Sequence, residues 1–254
     1  GTQWLAKFFQ DHYEDHFVVT HEPLQGRLDP RKALGIKSLQ ENSSSSATKM
    51  REHLATITEH LKDHSYLECG HVGWSAIPHF VEALKGRVRV VHLVRHPVPT
   101  AYSWLSHGAY EPPILPHLSE KVLLSPFDPG ARHLSYQDRW ESLKPYEKCL
   151  YYWLEVNALA MEMEEAQNSP WLRLRAEDLF GTDGLDQLLR FLDLPLQKRI
   201  HASRGTPEDQ FRYLIRSWDD WRLIESHAEV LSLSIKLGYH LEDVDEEALL
   251  RRFR

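Results

Sequence analysis

Cysteine is scarce: Cys69 and Cys149 are the two in 254 residues. Two thiols in a chain this long do not make a disulfide framework, and nothing here demands an oxidising compartment. No run of about 18 apolar residues occurs, so no membrane span is predicted. No signal peptide is visible from Gly1 onward, and the expected location is cytoplasmic. A basic surplus is missing too. Lys and Arg total 30 against 37 Asp and Glu, for a formal net charge of -7, whereas a general nucleic-acid binder shows a basic excess. Nucleic acid is therefore not an expected partner. The 16 histidines invite a metal, yet neither HExxH nor paired Cys/His spacing is present, and no metal is expected. Internal repeats are absent.

What remains is an ordinary globular composition, 42% hydrophobic and 26% charged, enough for a sizeable core. Periodicity and breakers place the elements. Trp4, Leu5, Phe8 and Phe9 predict a helix over 2–14, and 17–20 a short strand. A polar loop follows, then a serine-rich linker at 42–46. Helices are expected over 48–63 and 75–85, with a strand at 66–69 between them. The clearest buried strand is 88–94, followed by a helix over 98–107. Residues 108–135, rich in proline, read as an ordered loop or lid. Long helices are expected over 136–167, a strand at 171–175, and helices over 183–192 and 217–236. Strands alternating with helices predict one α/β domain over 1–254, with a mostly parallel sheet covered on both faces.

Three features point to an anionic ligand. Gly1, Thr2, Gln3 and Trp4 open a helix, whose free N–H groups and positive dipole end suit phosphate or sulfate; an ordinary Thr near a helix start fits equally. Arg95 follows the buried strand directly, with Ser103 eight residues on. Ligands of open α/β sheets bind outside the carboxyl ends of strands, and a guanidinium there grips phosphate through two parallel bonds. A surface Arg paired with a carboxylate fits the same spacing. Ala202 to Thr206, with Arg204, forms a small-residue turn that could close over an anion or be a plain loop.

Val88 to Ser103, VRVVHLVRHPVPTAYS, resembles the strand and helix that bind the 3′-phosphate in the family of sulfotransferases that use 3′-phosphoadenosine-5′-phosphosulfate (PAPS). Gly1-Thr2-Gln3-Trp4 resembles the tail of that family's 5′-phosphosulfate loop. Arg173 to Leu179 is similar to its "YEDL" strand end, Phe191 to Pro195 to the usual sequel, and Leu237-Gly238-Tyr239 to the "LGY" close of bacterial members. Arg204-Gly205-Thr206 is loosely similar to its C-terminal basic loop, with one basic residue lacking. The resemblance implies a three-layer P-loop-like α/β fold whose first strand, with a Lys/Arg-Ser, would precede Gly1. It implies PAPS as co-substrate and a small-molecule, sugar or lipid acceptor. Gly1, Thr2, Gln3, Trp4, Arg95, Ser103 and Arg204 would bind the nucleotide.

Sulfuryl transfer needs a general base near the acceptor. Glu22, twenty residues after Thr2, matches a catalytic Glu in several branches of the family, with His21 beside it. His71, twenty-four residues before Arg95, lies where cytosolic animal-type members keep a His, and an imidazole titrates near neutrality. Glu68 reads equally as a structural acid at a strand end. Trp74, Trp104, His107 and Tyr110 could wall an acceptor pocket or simply pack. Two rivals remain: a P-loop kinase of a small molecule, although Gly-Thr lacks a following Lys, and a non-catalytic nucleotide-binding relative.

Overall fold

The computed structural model describes residues 1–113, 117, 119–179, 183–196 and 218–254. These residues form two compact units. The first takes Gly1–Val88 and Asp128–Gly130, and the second takes the other described residues.

The first unit begins with α1 (Thr2–Tyr13), whose buried Leu5, Phe8, Phe9 and Tyr13 recur at helical spacing and pack on the strand that follows. That strand is β1 (Phe17–His21), and its chain then turns into the short α2 (Pro30–Leu34). The polar-loop reading missed α2, although its start signal is plain. Asp29 caps the helix by accepting from the Arg31 N–H, and Pro30 sits at the first helical position. α3 (Ser45–His60) begins inside the stretch read as a serine-rich linker. Ser44 Oγ accepts from the Ala47 N–H at 3.2 Å, and Ser46 is buried. The run of serines is therefore a helix start, because short hydroxyl side chains satisfy first-turn N–H groups. β2 (Ser65–Cys69) follows, and a 3₁₀ turn at Trp74–Ala76 leads into α4 (Ile77–Leu84).

β1 and β2 pair in parallel, with Thr20 opposite Glu68 and His21 opposite Cys69. Parallel partners need a crossover between them, and α3 supplies the long element of this one. Leu24, Leu28, Ala33, Ile36, Met50, Ala76 and Phe80 close a core beside it.

The second unit opens with β3 (Val90–Val94) and α5 (Pro97–Ser106). A 3₁₀ segment, Leu134–Ser142, precedes α6 (Pro145–Ala166), and β4 (Trp171–Arg175) follows. β3 and β4 are parallel, Val94 lying opposite Arg175. α6 is buried on nearly every face from Tyr146 to Leu154 and packs along α5. A helix apolar all round belongs in a core. The unit is completed by α7 (Ala176–Leu179), α8 (Gly184–Phe191), α9 (Ala228–Lys236) and α10 (Glu246–Phe253). The single helix expected over 217–236 is split in its described part: Trp221–Ser226 is 3₁₀, and α9 starts afresh after the buried His227.

Every described strand pair is thus parallel, and the ladders form two two-stranded sheets. The expectation of one central sheet was broader than these ladders.

Candidate active site

In the second unit, the carboxyl end of β3 is held from several sides. Arg95 follows Val94 immediately and is half-buried. Its carbonyl accepts from the Trp153 indole N–H at 2.9 Å, which ties the backbone to α6. His96 then caps α5. Its Nδ1 accepts from the Val98 N–H at 3.1 Å while Nε2 donates to the His240 carbonyl at 3.1 Å. Those two bonds require the neutral ring with its proton on Nε2. Burial agrees, pulling the His96 pKa down, and nearby Arg95 adds to that, against the His240 carbonyl and two acids.

Tyr239 covers the same end. Its hydroxyl lies 2.9 Å from the Val94 carbonyl and 2.7 Å from Glu177 Oε2, and its ring meets His96 edge-on. Arg175, at the end of β4, donates from Nε and an Nη to the two oxygens of Asp178, both at 2.8 Å, and also reaches the Gly238 carbonyl. The Leu237-Gly238-Tyr239-His240 segment therefore clamps the two strand ends from which Arg95 and the Ala176–Leu179 helix depart. Ser103 is half-buried on α5, between the buried Tyr102 and the half-buried Trp104.

Upstream of Arg95, His92 is half-buried within β3. Its Nε2 donates to Asn157 Oδ1 at 2.9 Å, and Asn157 Nδ2 donates back along α6 to the Trp153 carbonyl. Desolvation takes the His92 pKa down to about 4, with the Arg173 charge acting in the same direction against the Asn157 bond.

In the first unit, the start of α1 meets the end of β1. Thr2 Oγ1 and His21 Nε2 share a 3.3 Å hydrogen bond, and Gly1 is the N-cap. Gln3 is exposed and Trp4 half-buried, Trp4 stacking on Phe8. Glu22 continues the ladder, donating its N–H to the Cys69 carbonyl at 3.1 Å, and then turns with φ 48°. That left-handed backbone costs a non-glycine residue energy and ends the strand sharply. Gly70 makes room for it: a Cβ there would stand 2.8 Å from Glu22 Cγ and 3.2 Å from Glu22 N and Cα. His71 follows at once, half-buried, its carbonyl accepting from the Trp74 N–H. Glu22 and His71 thus sit beyond the carboxyl ends of two paired parallel strands, the place where open α/β sheets bind ligands.

The structure also places together residues that spacing did not associate. His53 of α3 is buried, and its Nε2 donates to Glu68 Oε2 at 2.7 Å. The Tyr66 hydroxyl donates to the same oxygen at 3.3 Å and lies 2.7 Å from Thr20 Oγ1. Burial drives the Tyr66 pKa up and the Glu68 charge adds to it, against the Thr20 bond, so the phenol keeps its proton and remains a donor.

The loop read as a lid is anchored by buried side chains. The Tyr110 hydroxyl donates to the Leu124 carbonyl at 2.6 Å and accepts from the Leu124 N–H at 2.9 Å. Tyr110 is 3% exposed, so it packs within the loop and walls no open pocket. At the far end, Glu155 is fully buried and accepts from the main-chain N–H groups of Arg132 and His133 and from His133 Nδ1, at 2.7–3.1 Å. Burial pushes this carboxyl up, but the His133 ring and those N–H donors more than reverse it, holding it below the usual carboxylate range.

Arg204 lies outside the described residues. Among the described residues, no group of three or more His, Cys, Asp or Glu is placed to hold a metal ion, and no helix is long and apolar enough to cross a membrane. His96, Trp153, Glu177 and Tyr239 were not picked out as site residues. The LGY motif was the available signal for Tyr239 and the YEDL-like run for Glu177; His96 and Trp153 are joined to the site by contacts far apart in sequence. No protein-family model matches the chain. No curated protein matches it. One solved structure, described as a sulfotransferase domain from the curacin biosynthetic pathway, is similar at 14% identity over 86% of this chain and 83% of that one, with a TM-score of 0.45. A likeness that loose carries neither fold nor function.

Proposed function

We propose that this chain is a sulfotransferase that moves a sulfuryl group from PAPS to a hydroxyl or amine of a small-molecule, sugar or lipid acceptor. The observation that carries the reading is Arg95 at the carboxyl end of the parallel strand β3, with Ser103 on the helix that follows. The family resemblance assigns these two residues to a 3′-phosphate. The anchoring of the Arg95 carbonyl and the His96 cap support it, because a guanidinium rooted in a fixed backbone loses less freedom on gripping an anion.

In this reading Arg95 and Ser103 hold the 3′-phosphate. The start of α1, with Gly1, Thr2, Gln3 and Trp4, neutralises the 5′-phosphosulfate, the group that must carry the leaving charge. The acceptor oxygen or nitrogen attacks sulfur in line, the S–O bond to the 5′-phosphate breaks, and the base takes the acceptor's proton. Glu22 is the first candidate for that base, by its turn beyond β1, and His71 the second.

Titration calorimetry with adenosine 3′,5′-bisphosphate and with ATP tests the assignment. The bisphosphate should bind more tightly than ATP. Arg95→Ala should weaken it about tenfold to a hundredfold, the loss of a charge-assisted contact of roughly 1.5–3 kcal/mol. Tighter binding of ATP would overturn the reading in favour of a kinase. Glu22→Gln should abolish transfer with nucleotide affinity unchanged, and full activity in that variant would move the base to His71.

A further inference from the structure

We propose that His96 is a positioning residue of the Arg95–Ser103 anion site, and that a nucleotide binds there only while the His96 ring is neutral, so that acid releases it. The identity of the nucleotide rests on the sulfotransferase reading above; the dependence on His96 does not.

The first turn of α5 hangs on one residue. Pro97 and Pro99 have no N–H to offer. The Val98 N–H is taken by His96 Nδ1 at 3.1 Å. Thr100 spends both its N–H and its hydroxyl on the His96 carbonyl, at 3.3 and 2.8 Å. Residues 97–100 thus leave no main-chain N–H over for an anion, although helix starts commonly bind phosphate through such groups. This helix start has to present side chains instead, Arg95 just before the turn and Ser103 beyond it. Its grip on an anion therefore depends on how firmly the turn is held.

The ring that holds the turn is enclosed. His96 is 4% exposed. Its Nε2 donates to the His240 carbonyl at 3.1 Å, and the Tyr239 ring stands edge-on against it. Tyr239 is fixed in turn by the Val94 carbonyl and Glu177. One imidazole thereby ties the α5 start to the Leu237–His240 segment, and it can do so only with Nδ1 unprotonated. A proton on Nδ1 would set donor against donor at Val98 and strand a buried N–H. The ring would have to turn away, and both the cap and the tie to His240 would go with it.

The charges facing the ring come from three segments. Arg95 is its chain neighbour, Glu177 belongs to α7, and Asp243 ends the 3₁₀ turn Leu241–Asp243. The phenol of Tyr239 stands beside it, with the Arg175 guanidinium over the far side of that ring. Burial keeps the proton off and Arg95 helps, while the His240 carbonyl, Glu177 and Asp243 favour it. Burial wins, so the ring is neutral above the ordinary histidine value of about 6.5 and charges below it. Near neutrality the anion site is assembled, and acid takes it apart.

The test is calorimetry of the whole chain with adenosine 3′,5′-bisphosphate, from neutral pH down to the acid limit of the folded chain as set by circular dichroism. It compares wild type, His96→Ala and His96→Asn, since asparagine caps a helix without a titrating proton. At neutral pH His96→Ala should bind about threefold to thirtyfold more weakly, as expected for a lost cap, and His96→Asn should restore the affinity. The ligand's own phosphate titration is common to both chains and cancels in the ratio of Kd values, wild type over His96→Asn. That ratio should be level above about pH 6.5 and climb towards about tenfold per pH unit below the point where the His96 Cε1–H resonance titrates. A flat ratio overturns the inference and leaves the sulfotransferase reading intact. So does a ratio that falls with acid, because a charged ring that stayed in place would tighten phosphate binding. Tighter binding of ATP sinks the sulfotransferase reading instead, and the same ratio measured with ATP then decides His96. Binding of neither nucleotide sinks both.

Discussion

His92 offers a measurement of how tightly the strand that delivers Arg95 is sealed. An imidazole exposed in the unfolded chain titrates near 6.5. In the fold it is half-buried, packed edge-on against Trp171 and bonded through Nε2 to Asn157, and its pKa falls to about 4. The folded state therefore binds fewer protons than the unfolded state between these two values. The stability tied to the neutral ring is fully present above about pH 6.5 and is lost as pH falls through that window towards 4. The whole difference corresponds to about 3 kcal/mol, a sizeable share of a typical domain's 5–15 kcal/mol. Two assays report on it. The His92 Cε1–H resonance should titrate near pH 4. The stability of the wild type should also fall more steeply between pH 6.5 and 4 than that of His92→Gln, by up to about 1.4 kcal/mol per pH unit. A His92 resonance that titrates near 6.5 would refute the reasoning, because it would mean water reaches the middle of β3.

Further outcomes follow from the same geometry. Gly70→Ala should push Glu22 aside at an estimated 1–3 kcal/mol and cut turnover while leaving nucleotide affinity intact, read by calorimetry beside a transfer assay. Tyr239→Phe removes the hydroxyl that serves the Val94 carbonyl and Glu177. It should cost about 1–2 kcal/mol in urea unfolding and weaken adenosine 3′,5′-bisphosphate binding through Arg95. Glu155→Ala strands the buried donors of Arg132 and His133, and limited proteolysis should then cut near 131–133, at a stability loss of about 3 kcal/mol.

Periodicity alone located the secondary structure around the site. Apolar spacing marked α1, a valine-rich run marked β3, and Arg95 stood out because a cation follows that run at once. Breakers were read less well. Ser44–Ser46 looked like a linker because serine favours loops and helix starts alike, and only the Ser44 bond to Ala47 separates the two. The 3₁₀ piece before α9 was invisible because its residues keep a helical pattern.

Glu22 and Ser103 were legible as residues, since a strand end and an eight-residue spacing are local facts. Their surroundings were not. His96 meets His240 across 144 positions, Tyr239 meets Val94 across 145, and His53 meets Glu68 across 15. Such contacts leave no period in the sequence, because they depend on which strands lie parallel and in what register. The chain's own order thus singled out Arg95 and Ser103 as candidates for gripping an anion. Tertiary structure decided which rings stay neutral and where glycine makes room, because each of these depends on burial and on partners brought in from elsewhere in the chain.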